Sequence, residues 1–242
     1  TRSPTVTGVQ TCALPILSLT ARAATGVALI VRSQSEYFSI VDPGANQKMS
    51  YEEVRSAIHG LGQHKNIFLM SLGVDFDVAM QALACAKRNR LFTILNASGC
   101  YELPDEAYQE LDLLIVNRTD CAYLSGIQPV DDEACERALR FFADRGVKDT
   151  VILLKERGSA TLVDGSYLRV PGYEVDVVDA SCGGDTYVGE LAARLSEGGS
   201  LAESMVYASA AAALSLTKVG AQESIPSWSE VQSFVEDHRT RA

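Results

Sequence analysis

Asp185 lies beside a run of small residues that could bind an anion and move a proton. Residues 177–190 read VVDASCGGDTYVGE, so an apolar stretch ends in an aspartate, and a small-residue turn leads to a second aspartate and a helix. Cys182, Gly183 and Gly184 let the backbone approach a ligand closely, and N–H groups at a helix start point towards negative charge. The segment predicts a phosphate site. There, Asp185 could accept a proton from a substrate hydroxyl while the N–H groups stabilise a transferred phosphoryl group.

A second interpretation of the same segment is purely structural. An aspartate after a glycine turn is also a common way to cap the N-terminus of a helix. On residues 177–190 alone, both interpretations are equally supported.

The elements that must position Asp185 follow an alternating pattern. From Gly26 onward, apolar runs of strand character alternate with amphipathic helical patterns, which predicts a parallel sheet covered by helices on both faces. Strands are predicted at 26–31, 37–41, 67–71, 92–95, 113–116, 150–154 and 160–163, with a loop at 42–46. Helices are predicted at 51–61, 76–88, 104–111, 133–145, 183–196, 201–217 and 229–238.

Composition narrows the class of protein. The 242 residues are 47% hydrophobic and 21% charged, which is typical of a globular α/β domain. With 21 basic and 31 acidic residues the net charge is −10, so nucleic acid is not expected as a partner. No apolar run is long enough to predict a membrane span. The six cysteines form neither a CxxC pair nor a cluster with histidine, which favours a reducing, cytoplasmic setting.

The first residues do not fit this pattern. Residues 1–16 (TRSPTVTGVQTCALPI) show neither strand alternation nor a helical stripe, and Pro15 breaks the only apolar patch that a signal peptide could use. We interpret residues 1–16 as a non-native leader and residues 17–242 as one domain.

Six ordered motifs carry a family resemblance. They are TGVALIV (25–31), DPGAN (42–46), LNASGCYELPDE (95–106), VNRTDCAYLSG (116–126), DASCGGDTY (179–187) and TKVGAQESIP (217–226). Together they resemble the ribokinase branch of the PfkB carbohydrate kinase family. The resemblance implies a Rossmann-type, three-layer α/β/α fold with a mostly parallel sheet, here without the N-terminal strands and most of the lid.

The activity implied by the resemblance is phosphorylation of a pentose, such as D-ribose to ribose 5-phosphate, with ATP, Mg²⁺ and K⁺. Asp185 would be the general base, with the backbone of Cys182, Gly183 and Gly184 as an anion hole. The implied nucleotide-binding residues are Asn117, Leu153, Leu154, Lys155, Glu156, Arg157, Gly158, Gly184 and Ser209. Lys155 stands where the family has a glycine, and it can also be interpreted as an exposed surface lysine.

Two cation sites are implied in the same way. A monovalent cation would be held, mostly by main-chain carbonyls, at Asp179, Ser181, Ser215, Lys218, Gly220 and Ser224. Asp120, where the family usually has glutamate, would hold magnesium through water. The alternative for the 218–222 segment is a helix C-cap with Gly220 in a left-handed conformation.

Departures from the family pattern support other functions. The sugar-binding loop of the family has no counterpart before Thr25, Gly73 stands where a glutamate reaches the sugar, and Cys182 replaces the first glycine of the turn. The alternatives are a catalytically silent nucleotide-binding fragment, a kinase for another sugar or nucleoside, and a structural remnant. For the chain as it stands we expect little activity and a tendency to self-associate, and we expect the family's homodimer only in a full-length parent.

Overall fold

The computed structural model describes residues 23–32, 37–60, 67–100 and 102–239. Contacts divide the chain into two compact units, with the boundary between Met49 and Ser50. The predicted leader, residues 1–16, lies outside the described residues. None of the helices in the described ranges is long and apolar enough to cross a membrane.

The first unit is an antiparallel strand pair. Strand β1 (Thr25–Arg32) pairs with β2 (Tyr37–Gly44), with Thr25 opposite Gly44, and a short 3₁₀ turn (Ala45–Lys48) follows. The prediction of a loop at 42–46 is therefore wrong for residues 42–44, which belong to β2. The Ala45 N–H donates to the Ala24 carbonyl at 2.8 Å, which extends the pairing past Pro43 and Gly44.

The second unit is a six-stranded sheet between two layers of helices. Its strands lie in chain order: β3 (Ile67–Ser71), β4 (Phe92–Asn96), β5 (Leu113–Asn117), β6 (Asp149–Leu153), β7 (Ser159–Val163) and β8 (Ser166–Val170). Strands β3 to β6 are parallel, whereas β7 is antiparallel to both β6 and β8. The helices are α1 (Tyr51–Gly60), α2 (Phe76–Arg88), α3 (Asp105–Gln109), α4 (Arg118–Ser125), α5 (Asp132–Asp144), α6 (Gly183–Ser196), α7 (Leu201–Leu216) and α8 (Trp228–Arg239).

The two faces of the sheet bury different helices, and β5 shows how. Leu114 and Val116 pack in the cluster that contains residues of α2, α4 and α5, while Leu113 and Ile115 pack against α6 and α7. Because side chains alternate along a strand, a continuous apolar run is what a central parallel strand with two covered faces requires. The predicted three-layer α/β fold is confirmed.

Two elements were missed by the sequence patterns. Helix α4 is only eight residues long; the side chain of Asn117 begins it by accepting from the N–H groups of Thr119 at 2.8 Å and Asp120 at 2.9 Å. Strand β8 follows a two-residue hairpin turn in which Asp164 and Gly165 both have positive φ (49° and 77°). An Asp-Gly pair is a strong hairpin signal, so β8 could have been predicted.

Candidate active site

The sheet topology brings the Asp185 turn to the edge where β5 and β6 end. Since β7 runs back along the sheet, β8 is parallel to β6, and the segment after β8 starts from the carboxyl edge of the parallel strands. A hydrogen bond of 2.8 Å between the hydroxyls of Ser159 and Tyr187 ties the beginning of α6 to the first residue of β7. Burial raises the pKa of Tyr187, so this phenol stays neutral.

The turn itself has an open face and a closed face. Cys182 is the N-cap of α6, and the Thr186 N–H donates to its carbonyl at 2.9 Å, so the N–H groups of the first turn are left without partners within the helix. Gly184 and Asp185 are exposed, whereas Gly183 is buried. A Cβ on Gly183 would lie 2.8 Å from Cδ2 of Leu216, so the close approach of α7 favours glycine here. The open face combines free N–H groups with a carboxylate at a helix start, where the dipole attracts anions.

The thiol of Cys182 faces inward. It is hydrogen-bonded to the Ser224 hydroxyl at 3.0 Å and to the Ala221 carbonyl at 3.3 Å. Cys182 therefore joins residues 182–185, called the anion turn because the sequence predicts an anion there, to the 218–224 loop, and its thiol does not lie on the exposed face of that turn.

Asp179 makes a second connection between the turn and that loop. Its carboxylate accepts from the N–H and the hydroxyl of Ser181 and from the Gly220 N–H at 3.2 Å. The N–H groups of Val178 and Asp179 donate to the Leu216 carbonyl at 2.8 and 3.1 Å. Three of the six residues assigned to a monovalent cation, Asp179, Ser181 and Gly220, are thus brought together.

The other three of these residues have their side chains engaged locally. The hydroxyls of Ser215 and Ser224 donate at 2.8 Å to main-chain carbonyls, and the Lys218 ammonium pairs with Glu230 at 3.0 Å. Within the described ranges no three His, Cys, Asp or Glu side chains gather as a metal site. Main-chain carbonyls are left as the donors, a set that suits a weakly hydrated monovalent cation. Gly220 has a φ of 104°, as the C-cap interpretation also required, although α7 itself ends at Leu216.

Asn117 and Asp120 lie where β5 ends and α4 begins. Asn117 ends β5 and caps α4, whereas Asp120 is buried, with its Oδ1 accepting from the Gly99 N–H at 3.1 Å. Its Oδ2 has no hydrogen-bond partner among the described residues, and burial raises the pKa of this carboxyl. An unpartnered buried carboxylate oxygen fits an acceptor for a magnesium-bound water.

The turn after β6 contains most of the residues assigned to the nucleotide. Leu153 ends β6, Leu154 is buried, and Lys155, Glu156 and Arg157 form a 3₁₀ turn closed by Gly158. A Cβ on Gly158, whose φ is 88°, would lie 2.0 Å from the Val170 carbonyl oxygen, so only glycine fits.

Two of the assigned side chains are directed elsewhere or enclosed. The Arg157 guanidinium donates to the Val130 carbonyl at 2.7 Å and to Asp132 at 2.9 Å, so it fastens this turn to the start of α5. Ser209 is buried in α7, and its hydroxyl has no hydrogen-bond partner in the described part of the chain. Gly73 is exposed between β3 and α2.

Two residues near the site were not identified from the sequence. Tyr187 is the buried anchor described above, and its position as the fifth residue of α6 resembles ordinary core packing. Arg118 follows Asn117 directly and lies 3.8 Å from Glu156 of the next turn. In the sequence, the position of Arg118 directly after the helix-capping Asn117 could have indicated that it lies near the site.

Comparison with known proteins identifies the family. Residues 11–228 match the model of the pfkB family of carbohydrate kinases. The chain belongs to this family. A pfkB kinase is a phosphotransferase with an alcohol group as acceptor, so the prediction of an ATP-dependent sugar kinase that resembles ribokinase is confirmed.

Relatives of this pfkB kinase include several ribokinases. The ribokinase of Haemophilus influenzae is 32% identical over 88% of this chain and 69% of its own length. The crystal structure of ribokinase from Thermotoga maritima has a TM-score of 0.77 at 29% identity, covering 88% of this chain and 70% of that chain. The ribokinase of Arabidopsis thaliana, complexed with ribose and ATP, also has a TM-score of 0.77 at 27% identity, over 89% of this chain and 70% of that one.

Proposed function

We propose that the chain transfers the γ-phosphoryl group of ATP to the primary hydroxyl of D-ribose, giving ribose 5-phosphate and ADP. The observation that carries the proposal is the exposed carboxylate of Asp185 in the first turn of α6, beside the exposed Gly184. A structural neighbour at 27% identity is a ribokinase in complex with ribose and ATP, which supports both substrates.

In this proposal Asp185 is the general base. Its carboxylate accepts the proton of the ribose hydroxyl as the oxygen forms a bond to the γ-phosphorus and the bond from that phosphorus to the β-phosphate oxygen breaks. The N–H groups of Gly183 and Gly184, with the positive end of the α6 dipole, stabilise the negative charge that develops on the phosphoryl oxygens.

The residues around the turn fit two cations. Asp120, through its unpartnered oxygen, and Asn117 would hold the water shell of Mg²⁺, and the main-chain carbonyls of Asp179, Ser181 and the 215–224 segment would hold K⁺. These ions would supply positive charge to offset the phosphates. The Cys182 and Asp179 hydrogen bonds keep the loop and the anion turn in one arrangement.

The nucleotide would lie along the β6–β7 turn. Leu153 would contribute apolar surface there, Glu156 and Gly158 would contribute backbone groups, and the buried Leu154 would support the turn from below. Ser209 would contribute its hydroxyl from α7.

The five described cysteines are unpaired and buried, which supports a reducing compartment such as the cytoplasm for this reaction.

Asp185→Asn tests the proposal because it keeps the size of the side chain and removes the base. We expect ribose-dependent release of ADP to fall by about 10²-fold or more. The affinity for ATP, measured by calorimetry with Mg²⁺, should change by less than about twofold, since Asp185 does not neutralise phosphate charge. Near-normal turnover in this variant would exclude Asp185 as the base.

The alternative function is nucleotide binding without catalysis, favoured by Gly73, which offers no side chain to a sugar. ATP binding by the unmodified chain, without ADP release for ribose, deoxyribose, fructose or adenosine, would support it. Turnover with one of the other acceptors would keep Asp185 as the base and change the substrate.

A further inference from the structure

A cavity of about 510 Å³ opens beside the start of α4, and of its lining residues Lys155 alone was assigned to the nucleotide in the sequence analysis. Its lining comes from α4, the segment after it and the β6–β7 turn: Arg118, Thr119, Ala122, Tyr123, Gln128 and Lys155. The volume is within the range of small-molecule sites in proteins.

The charge of this lining is opposite to that of the chain. Arg118 and Lys155 contribute two cations, and the other polar side chains are a threonine, a tyrosine and a glutamine. None of the described residues that line the cavity carries a carboxylate. The chain as a whole has a net charge of −10. A cleft with two cations and hydrogen-bond donors, in an acidic protein, selects an anion.

Neighbouring acids do not neutralise the two cations. Glu156 lies 3.8 Å from Arg118, but both side chains are largely exposed, so the pair is weak. Among the described residues, no carboxylate forms an ion pair with Lys155 within 4 Å. Both charges are therefore available to a ligand.

The backbone at Lys155 is held in a conformation that lysine rarely adopts. Its φ is 58°, in the left-handed region where a Cβ crowds the backbone. The conformation is fixed by the Gly158 N–H, which donates to the Lys155 carbonyl at 2.8 Å, and by the packing of Gly158 on Val170. A glycine would be more stable here, so the lysine side chain is present at a cost in stability.

The cavity adjoins the proposed nucleotide site. Arg118 follows Asn117 at the end of β5, and Lys155 follows β6, the neighbouring strand, so both cations lie at the sheet edge to which the Asp185 turn is brought. We propose that Arg118 and Lys155 bind phosphate groups of the nucleotide donor and thereby determine how tightly it is held. The inference rests on the proposed function, and it adds a role for two side-chain charges.

Calorimetry of the full chain with Mg²⁺ and ATP, ADP or AMP tests the inference. Arg118→Gln and Lys155→Gln should each weaken ATP binding about tenfold, the usual effect of losing one charge-assisted contact. The loss should be smaller for ADP and smallest for AMP. Arg137→Gln is the matched control, because Arg137 is an exposed arginine of α5 paired with Glu133 on the same helix, and it should leave all three affinities unchanged.

Lys155→Gly separates binding from folding. Because glycine accepts a φ of 58° without strain, this variant should melt at a higher temperature than the parent chain while binding ATP about tenfold more weakly. A purely structural role for Lys155 predicts no loss of affinity.

The remaining outcomes overturn the inference in distinguishable ways. ATP affinities within twofold of the parent in both glutamine variants, in a chain that binds ATP, would overturn it and leave the proposed function intact. Loss of inorganic phosphate binding in the variants, with ATP binding unchanged, would assign the cavity to a free anion instead. A parent chain that binds no nucleotide would overturn the proposed function as well.

Discussion

At the scale of single residues, the two aspartates proposed as the general base and as the acceptor for magnesium-bound water have opposite surroundings. Asp185 is exposed at the start of α6, whereas Asp120 is only 4% exposed and one of its oxygens has no hydrogen-bond partner among the residues that the structure describes. A general base must reach the substrate hydroxyl, and a carboxylate that orders metal-bound water can remain enclosed. The difference in accessibility, rather than the residue type, separates the two roles in the proposed reaction.

Asp112 gives a prediction about pH at this scale. Burial acts to raise the pKa of this carboxyl, but hydrogen bonds from Thr93 and the ammonium of Lys87, 2.9 Å away, outweigh it and lower the pKa. A lowered pKa in the folded chain means that the stabilisation is present above the ordinary value of 3.8 and is lost as the pH falls through the folded-state value. Asp112→Asn should therefore reduce the free energy of unfolding by about 1–2 kcal/mol at pH 7. In urea titrations this difference should shrink towards pH 3.

Asp105→Asn is the control for that prediction. Asp105 also pairs with a cation, Arg145, but its side chain is 80% exposed. Exposed ion pairs contribute little, so the variant should change the free energy of unfolding by less than about 1 kcal/mol at any pH. Equal effects at Asp105 and Asp112 would contradict the argument from burial.

At the scale of elements, the β6–β7 turn is fixed by contact with β8. Gly158→Ala would place a methyl group 2.0 Å from the Val170 carbonyl oxygen, which the backbone of β8 cannot accommodate. We expect a loss of about 3 kcal/mol or more, together with weaker ATP binding, because the turn must move. Thermal unfolding and calorimetry measure the two effects.

Gly165 provides a control with the same backbone requirement. Its φ of 77° is also left-handed, but no atom of the described part of the chain lies within 4 Å of a Cβ built there. Gly165→Ala should therefore cost only the conformational strain, about 1–2 kcal/mol, and should leave ATP binding unchanged. If the two variants were equally unstable, the contact with β8 would not be what fixes the turn.

Elements with a strong hydrophobic period could be predicted from the sequence, and short capped ones could not. The bounds of β3, α2 and α6 agree with the prediction to the residue, because each combines a regular apolar pattern with clear flanking signals. Helix α4 was not predicted because its start depends on the side chain of Asn117 and because eight residues are too few to show a clear helical period of apolar residues. Which motifs meet at the sheet edge depends on the order of the strands, and no strand order was predicted from the sequence.

At the scale of the whole molecule, the core belongs to the second unit. Every buried hydrophobic residue among those described lies at Ile58 or beyond, while the first unit ends at Met49. Because burial of apolar surface provides most of the stability of a folded protein, the second unit should contribute far more to the free energy of unfolding than the first.

A chain of residues 50–242 should therefore fold without the first unit. We expect it to unfold cooperatively in urea, with a midpoint within about 0.5 M of that of the full chain, since the exposed surface that sets the slope is nearly the same. An unfolded product, or a transition with a much smaller slope, would show that residues 1–49 contribute to the core.

The S–H stretching vibration of Cys182 offers an intrinsic infrared probe of this part of the molecule. An S–H bond vibrates in an infrared window that is free of other protein bands, and its frequency falls when the hydrogen is donated to an oxygen such as the Ala221 carbonyl, 3.3 Å away. A Cys182→Ala difference spectrum would isolate this band from those of the other cysteines. Binding of the proposed potassium ion or nucleotide could then be followed, without any added label, as a change in this frequency at the junction between the anion turn and the 218–224 loop.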